Sequence, residues 1–408
     1  MKKVDVIRPG SLNAIIGPSG TLKRILKNRD YFQNRGYNIE VFTYDNITDS
    51  ESPIKPANVN KVSHSNNFFT VLKSKLRIMA AKSKLLAILF INKKNRDIKK
   101  LLSCYLSLNR NPDIVVFHSV VECYYYLLKK KEKRSKVVVF YHSEGIPLKM
   151  LLVNYPVLRD TSFAEKLLKI DEYVANHADQ YAFISKNGQE NFLKYYPNVS
   201  KEQTKLIVNG IEDITKEEAS QLLPVPQNIT NFKYRLCCTG SINIRKGHRI
   251  ILESLCKIEK SILSNIHVTF IGDGPERFFL EKFVRENEIL EHVRFLGRID
   301  NSQVYKYLFQ ANIFILMSKN EGLPISIIEA MRAGLPIIST KVAGIPELIN
   351  EGENGFLLDP DADQLTSLLN DIDSHNWVKM GKVSRNRFLR EFTFDRMKSE
   401  YCDMLDIL

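Results

Sequence analysis

Short apolar runs recur along the chain and alternate with stretches whose apolar residues return every three or four positions. The first pattern predicts buried β-strands, and the second predicts helices with one apolar face. The runs that predict strands lie at 4–7, 38–43, 113–117, 136–141, 180–184, 205–208, 234–239, 267–271, 293–296, 313–317 and 336–339. This alternation predicts an α/β protein with parallel sheets that are covered by helices.

The length of 408 residues exceeds one ordinary hydrophobic core, so the chain is expected to form two domains. A polar, proline-containing stretch at 212–231 separates two series of strand patterns. We therefore predict an N-terminal Rossmann-like domain over 1–208 and a C-terminal Rossmann-like domain over 209–389. The last helical pattern, at about 390–408, can pack back on the first domain.

The net charge of +13 is unevenly divided between the two parts of the chain. Residues 1–150 hold 28 Lys and Arg against 11 Asp and Glu, a net +17, whereas the remaining residues hold 31 against 35, a net −4. This N-terminal excess indicates an anionic partner, which can be a membrane surface, a lipid diphosphate or a nucleic acid, and a basic solvated face is the alternative. A nucleic-acid partner is not expected, because the basic residues do not interleave with aromatic ones in a recognised binding module.

Segment 68–102 holds ten basic residues and one acidic residue, Asp97. On a helical projection, cations border one apolar stripe, which consists of Phe68, Leu72, Leu76, Met79, Leu86 and Phe90. Such a stripe can enter the interface of an anionic membrane while the cations stay among the headgroups. We expect peripheral membrane contact through this segment. An ordinary core-facing helix or helix pair is the alternative.

Three further features of the sequence indicate the compartment. No strongly apolar run is long enough to span a bilayer, and the first residues resemble a strand rather than a signal peptide. The six cysteines show no metal-type spacing. We therefore expect a cytoplasmic protein, with any membrane contact on the inner face.

Glu321 and Glu329 flank a predicted helix start between two strand patterns. Pro324 suits the first turn of a helix and Gly334 suits its end, so Glu321 is predicted in a loop and Glu329 in the helix. Eight positions at a rise of about 1.5 Å span ~12 Å, which matches the distance from the sugar to the ribose of a nucleotide diphosphate sugar. The backbone amides between them favour a phosphate.

Other polar residues also follow strand patterns. Arg245 and Lys246 come after the run at 234–239, where an adjacent pair of cations suits a diphosphate. His118 and His142 each follow a strand pattern, and ligands bind at the carboxyl ends of strands in open α/β sheets. Both histidines are therefore candidates for a ligand cleft. Salt-bridged surface cations and structural histidines are the alternatives.

Two glycine-containing turns carry weaker signals. The sequence Gly17-Pro-Ser-Gly20-Thr lacks the ending of a phosphate-binding P-loop, but it can present amides to an anion or an acceptor sugar. The sequence Ile271-Gly272-Asp-Gly-Pro resembles only the opening of a dinucleotide fingerprint. No Asp-x-Asp pair follows a strand, since Asp361-Ala-Asp363 is predicted in a polar loop, so we expect no metal.

Together these residues resemble glycosyltransferase family 4, retaining enzymes of the GT-B fold, in which two Rossmann-like domains face a central cleft. The resemblance covers most of the chain and is densest over about 205–360. The motifs that carry it are Val208-Asn-Gly-Ile211, Thr239-Gly-Ser-Ile, Arg245-Lys-Gly247, Gly272-Asp-Gly-Pro275, Phe295-Leu-Gly297, residues 321–334, Gly344-Ile-Pro-Glu347 and Asn354-Gly355. Many members carry Arg where this chain has Ser241, which shifts the expected phosphate contact to Arg245.

The resemblance implies roles for individual residues. Glu329 would bind the ribose hydroxyls, Glu321 would lie at the donor sugar, and Arg245 with Lys246 would neutralise the diphosphate. The implied catalytic residues are His142, Arg245, Lys246 and Glu321. The further donor-binding residues are Gly240, Ser241, Gly272, Gly322, Leu323, Pro324, Ile325 and Ser326. The acceptor-side residues are Gly17, Gly20, His118 and Glu144.

The resemblance also implies a retaining, metal-independent hexosyltransferase that needs no cofactor. It would move a sugar from a nucleotide sugar, expected to be a UDP-sugar, to a glycan or lipid-linked acceptor in the biosynthesis of a cell-surface polysaccharide. The alternatives are a protein glycosyltransferase, a non-catalytic GT-B partner subunit and a nucleotide-sugar epimerase. Four intact residues argue against a loss of catalysis: Glu321, Glu329, Arg245 and Lys246.

Overall fold

The computed structural model describes residues 1–10, 19–44, 47, 79–129 and 135–408. The chain divides into two compact units. Unit 1 comprises Met1–Val208 and Met397–Leu408, and unit 2 comprises Asn209–Arg396. Each unit is built on one parallel sheet, so the predicted two-domain α/β fold is confirmed.

The described strands of unit 1 form a six-stranded sheet, and every pairing in it is parallel. These strands are β1 Lys2–Ile7, β2 Tyr37–Phe42, β3 Ile114–Phe117, β4 Lys136–Tyr141, β5 Gln180–Phe183 and β6 Thr204–Leu206. Their order across the sheet is β2-β1-β3-β4-β5-β6. The central strands β3 and β4 are apolar almost throughout, as expected of parallel strands that are buried on both faces.

Helices connect these strands along the chain. They are α1 Ser19–Lys27, α2 Arg29–Asn34, α3 Lys84–Ser107, α4 Val120–Lys129, α5 Pro147–Asn154, α6 Ser162–His177 and α7 Lys186–Tyr195. One core cluster packs side chains of β3 and β4 against α4 and α6, and a second packs α3 against α4, α5 and α6. These clusters fix the strand ends of unit 1 relative to one another.

Unit 2 repeats this plan with a second parallel sheet of six described strands. The strands are β7 Tyr234–Thr239, β8 Ile266–Ile271, β9 Val293–Gly297, β10 Ile313–Leu316, β11 Ile337–Thr340 and β12 Gly355–Leu358. Their order is β12-β11-β10-β7-β8-β9. The neighbouring strands β10, β7 and β8 therefore end side by side, which places three of the predicted motifs at one edge.

The helices of unit 2 alternate with its strands. They are α8 Lys216–Ser220, α9 Gln227–Thr230, α10 His248–Leu255, α11 Lys260–Leu263, α12 Arg277–Glu286, α13 Asn301–Leu308, α14 Ile325–Arg332, α15 Ala362–Asn370 and α16 Trp377–Glu391. A last helix, α17, spans Phe394–Asp406. Its residues from Met397 onward belong to unit 1, where Tyr401 lies edge-on against Phe32 and stacks on Phe140.

Three sequence expectations need correction. The sequence patterns missed β12, because it is a short edge strand whose last three residues are only half-buried. The expected polar loop at Asp361 is wrong: the Asp361 carboxylate caps α15 by accepting hydrogen bonds from two backbone amides. The polar stretch at 212–231 contains the short helices α8 and α9.

The expected membrane segment is described only in part, because 68–78 lies outside the described residues. Helix α3 begins after Ser83, whose hydroxyl caps it. Leu86 and Phe90 of the predicted stripe are half-buried, whereas Leu85 is 68% exposed and Leu89 is also exposed. Within the described chain, no helix combines the length and the apolar character needed to cross a bilayer.

Candidate functional site

Backbone contact brings together the loops at the carboxyl edge of the unit 2 sheet. Gly247 has a φ of +69°, and a Cβ on it would lie 1.7 Å from the carbonyl oxygen of Met317. Gly272 has a φ of +144°, and its Cβ would lie 1.8 Å from the carbonyl oxygen of Gly240. Because no side chain fits at either contact, glycine is what allows the turns after β7, β8 and β10 to touch.

Three side chains converge on one carboxylate oxygen at this edge. Glu321 Oε1 lies 2.6 Å from Lys246 Nζ and 3.0 Å from Arg245 Nη1. The Ser318 hydroxyl donates to the same oxygen over 2.8 Å. The sequence predicted Glu321, Arg245 and Lys246 as site residues, and the structure brings them into direct contact.

The environment keeps Glu321 ionised. The residue is only 7% exposed, and the side chain of Lys246 is 12% exposed. Burial alone would raise the pKa of Glu321, but the charges of Lys246 and Arg245 outweigh it and hold the pKa below its ordinary value. The cluster therefore contains two cations and one anion, which leaves one positive charge for an anionic ligand.

The turn that carries the cations is fixed by local hydrogen bonds. Asn243 Oδ1 accepts from the Lys246 amide over 3.2 Å, and Asn243 Nδ2 donates to the Ser241 hydroxyl over 2.8 Å. Ser241 thus supports the turn through Asn243. Sequence reasoning missed Asn243, although an asparagine before a short helical turn is a recognisable capping signal.

Helix α14 begins beside this cluster. Pro324 is its N-cap residue, and Glu329 is half-buried in its second turn. The first amides of a helix have no acceptor within it, so they are available to an anion. Ser326 Oγ, on the first turn, is buried without a hydrogen-bond partner among the described residues. The Asn209 side chain donates to the carbonyl of Leu323 over 3.4 Å and supports the preceding loop, which also contains Gly322.

A separate polar group lies at the carboxyl edge of the unit 1 sheet. Arg8, His118 and His142 directly follow the adjacent strands β1, β3 and β4. His118 Nδ1 lies 2.7 Å from His142 Nε2, so one ring donates a hydrogen bond to the other. The ring of Phe140 stacks on both imidazoles. The structure thus brings both predicted histidines together.

Burial and the charge of Arg8 change the pKa of both histidines. Burial and the charge of Arg8 lower the pKa of His142 to about 3, and burial, His142 and Arg8 lower the pKa of His118 well below its ordinary value. Both imidazoles are therefore neutral at neutral pH. Their hydrogen bond needs one donor and one acceptor, which two neutral rings supply.

Glu122, in the first turn of α4, is fully buried in the same unit. Burial raises its pKa from 4.5 to about 8, and nearby Ser119, Lys94 and Arg8 only partly offset that effect. No hydrogen bond of normal geometry reaches either carboxyl oxygen from the described residues. Sequence reasoning missed Arg8 and Glu122. The strand-end rule that selected both histidines applies equally to Arg8, whereas nothing in the sequence marks Glu122 as buried.

The remaining acceptor-side residues lie in different parts of unit 1. Glu144 is half-buried in the loop that follows β4. Gly20 lies inside α1 rather than in the turn before it, because the helix begins at Ser19. Gly17 lies outside the described residues. Among the residues that the structure describes, no group of three or more His, Cys, Asp or Glu is arranged to hold a metal ion.

Two family models match consecutive parts of the chain. The model described as Glycosyltransferase Family 4 matches residues 18–213, and the model described as Glycosyl transferases group 1 matches residues 223–383. The first match ends at the boundary region between the units, and the second falls within unit 2. The two matches therefore account for both units.

Curated relatives match mainly over part of their length. N-acetyl-alpha-D-glucosaminyl L-malate synthase of Bacillus anthracis is 32% identical over 166 residues, which are 39% of this chain and 42% of that protein. The amylovoran biosynthesis glycosyltransferase AmsK of Erwinia amylovora is 30% identical over 142 residues, 33% of this chain and 35% of that protein. The chain thus spans less than half of the length of these two relatives.

Solved structures match over the whole chain. Sucrose-phosphate synthase from Thermosynechococcus elongatus has a TM-score of 0.71 at 19% identity and covers 100% of this chain and 98% of its own. HepE from Anabaena in complex with UDP has a TM-score of 0.66 at 16% identity and covers 100% of both chains. At these identities the likeness is one of fold.

Proposed function

Because the chain belongs to the glycosyltransferases of family 4 and group 1, we propose that it transfers a sugar from a nucleotide diphosphate sugar. The proposed acceptor is a glycan or lipid-linked glycan of a cell-surface polysaccharide. Support for this pathway comes from relatives named for amylovoran biosynthesis and lipopolysaccharide core biosynthesis. UDP is the proposed nucleotide, since HepE, a neighbour in fold, has been solved with UDP and with UDP-glucose.

The observation that carries the proposal is the convergence of cations and helix amides in unit 2. Lys246 and Arg245 form ion pairs with Glu321, which lies in the loop that leads into α14. Cleaving the bond between a sugar and a diphosphate places negative charge on the leaving group. Preorganised cations and helix amides stabilise that charge in a water-poor site.

The proposed mechanism has no enzymic nucleophile. As the bond between the anomeric carbon and the diphosphate oxygen breaks, the electron pair goes to the diphosphate, and Lys246 with Arg245 neutralises it. The acceptor hydroxyl attacks the same face of the sugar and passes its proton to the departing phosphate oxygen. This route retains the anomeric configuration and needs neither metal nor cofactor. Glu329 is proposed to bind the ribose, and a contact of His142 with the sugar stays a prediction.

Purified protein and a panel of nucleotide sugars test the proposal. We expect donor hydrolysis, or transfer to a lipid-linked acceptor, with one UDP-sugar, and undiminished turnover in excess EDTA. Release of the α-anomer from an α-linked donor, followed by NMR, is the expected sign of retention. Turnover that vanishes in EDTA and returns with a divalent cation would refute metal independence. A donor that is only epimerised, with no loss of its diphosphate, would refute transfer itself.

Peripheral membrane contact is proposed as part of this function. Leu85 and Leu89 lie one turn apart on α3 and are exposed, and lysines such as Lys84 and Lys93 lie exposed near them. Exposed leucines bordered by cations suit the interface of an anionic bilayer. In liposome flotation, we expect binding that requires anionic lipid and weakens in the double variant Leu85→Ser, Leu89→Ser. Equal recovery with neutral vesicles would contradict this contact.

A further inference from the structure

Glu321 occupies the position at which a phosphate would be expected between the two cations. Its Oε1 atom forms ion pairs with Lys246 and Arg245 over 2.6 and 3.0 Å and accepts a hydrogen bond from Ser318 over 2.8 Å. The carboxylate is buried, so water screens these contacts poorly. An anion that approaches the cations therefore meets a carboxylate that already neutralises part of their charge.

Without this carboxylate, the two cations would lie side by side with no anion between them. Like charges at such distances repel, and a lysine side chain with little solvent contact loses hydration that only a partner can replace. The carboxylate thus holds Lys246 and Arg245 close together in the protein without its donor. It also repels any other anion at the same place.

We propose that Glu321 is an internal counter-anion, which holds Lys246 and Arg245 in the donor-free protein and is displaced from them by the diphosphate of the nucleotide. The proposal rests on the proposed donor class and adds a step to it. The diphosphate replaces Glu321 in the ion pairs of both cations, and the released carboxylate can accept hydrogen bonds from another group at the site.

This exchange couples the binding of the diphosphate to the binding of the sugar. The sugar of an intact nucleotide sugar supplies hydroxyl groups that can satisfy the released carboxylate, whereas a free nucleoside diphosphate lacks that sugar and keeps only its ribose hydroxyls, which are proposed to bind Glu329. Binding of the free nucleoside diphosphate therefore leaves the charge of Glu321 without a partner, and this cost lowers its affinity. Glu321 then weakens the binding of the product more than that of the donor, which favours product release.

The test compares anion binding by the full-length wild type and the Glu321→Gln variant, by isothermal titration calorimetry. Gln keeps the size of Glu but removes its charge. We expect Glu321→Gln to bind inorganic pyrophosphate and UDP about tenfold more tightly than the wild type, a factor typical of coupling between two bound groups. Affinity for pyrophosphate that is equal to or weaker than that of the wild type would overturn the proposal.

Glu329→Gln is the matched control, because it removes the charge of a second glutamate, which is half-buried and is proposed to bind the ribose that pyrophosphate lacks. We expect it to leave pyrophosphate affinity unchanged. A rise in pyrophosphate affinity equal to that of Glu321→Gln would show that any lost negative charge suffices, and would overturn the specific role of Glu321.

Two further measurements keep the outcomes distinct. Ser318→Ala removes one hydrogen bond to Glu321 while keeping its charge, so a rise of about two- to threefold in pyrophosphate affinity is expected even if Glu321→Gln does not fold. A wild type that binds pyrophosphate but none of UDP, GDP or ADP would refute the nucleotide donor and leave the counter-anion supported. A wild type that binds no pyrophosphate at all would overturn the counter-anion.

Discussion

Glu122→Gln is expected to stabilise unit 1 increasingly as the pH rises. The carboxyl group of Glu122 is fully buried, and its pKa is raised from 4.5 to about 8. In the folded protein the group therefore keeps its proton up to about pH 8, whereas in the unfolded chain it loses the proton near pH 4.5. Between these values, unfolding releases a proton, so the wild-type free energy of unfolding falls as the pH rises.

The size of the effect follows from the same two pKa values. Each pH unit within the window lowers the free energy of unfolding by about 1.4 kcal/mol. From pH 5 to pH 7 the wild type should therefore lose about 3 kcal/mol relative to Glu122→Gln, which has no proton to release. The amide adds two N–H donors that need partners, but this cost is independent of pH and cancels from the comparison between the two pH values.

Urea unfolding at pH 5 and pH 7 measures this difference. Far-UV circular dichroism follows both units, and the fluorescence of Trp377, the one tryptophan of the sequence, follows unit 2. Glu165→Gln, at an exposed position in α6, is the control, with an expected change of about 0.5 kcal/mol or less at either pH. A Glu122→Gln effect of the same size at both pH values would refute the reasoning, because it would mean that the buried group does not titrate in this window.

Two further predictions concern unit 2. Lys246→Ala should lower turnover by ~10²-fold or more, because the cation that stabilises the leaving diphosphate is lost. Steady-state kinetics with a saturating donor measures this change. Unchanged turnover would show that Lys246 has no part in the mechanism. Gly247→Ala should weaken UDP binding and lower the melting temperature, because a Cβ 1.7 Å from the Met317 carbonyl forces the two loops apart. Gly352→Ala is the control for the loss of a positive-φ glycine, since no atom lies within 4 Å of its added Cβ. Equal melting temperatures and UDP affinities of the two variants would show that the contact with Met317 is unimportant.

The sequence was most informative where a pattern repeats or where a residue type is required by geometry. The parallel strands repeat one apolar pattern, so the α/β fold and the strand-end positions of His118, His142 and the two unit 2 cations followed from it. The contact between Glu321 and Lys246 joins residues 75 positions apart, and no local pattern reports such a distance. The geometry of the cluster therefore appears only in the folded chain.

Burial explains most of what the sequence could not predict. Glu122 lies on an amphipathic helix, and glutamate is usually a surface residue, yet this side chain is fully buried. The predicted stripe is described only from Met79 onward, where Met79 is exposed and Leu86 and Phe90 are half-buried on α3, which begins at Lys84. A helical projection assumes one uninterrupted helix, and the cap at Ser83 breaks that assumption.

Backbone contacts position the turn that carries the cations at the unit 2 site, and Glu321 pairs with the charged ends of their side chains. The Lys319 amide donates to the Arg245 carbonyl over 2.7 Å, and Arg245 Nη1 donates to the Asn320 carbonyl over 2.6 Å. These reciprocal bonds join the cationic turn to the loop that carries Glu321, and the glycine contact at Met317 reinforces them. Removing the Glu321 charge should therefore leave the two loops in place, while the charged ends of Lys246 and Arg245 lose the anion that they share. For this reason, the pyrophosphate affinity of Glu321→Gln reports electrostatic competition rather than a collapsed loop.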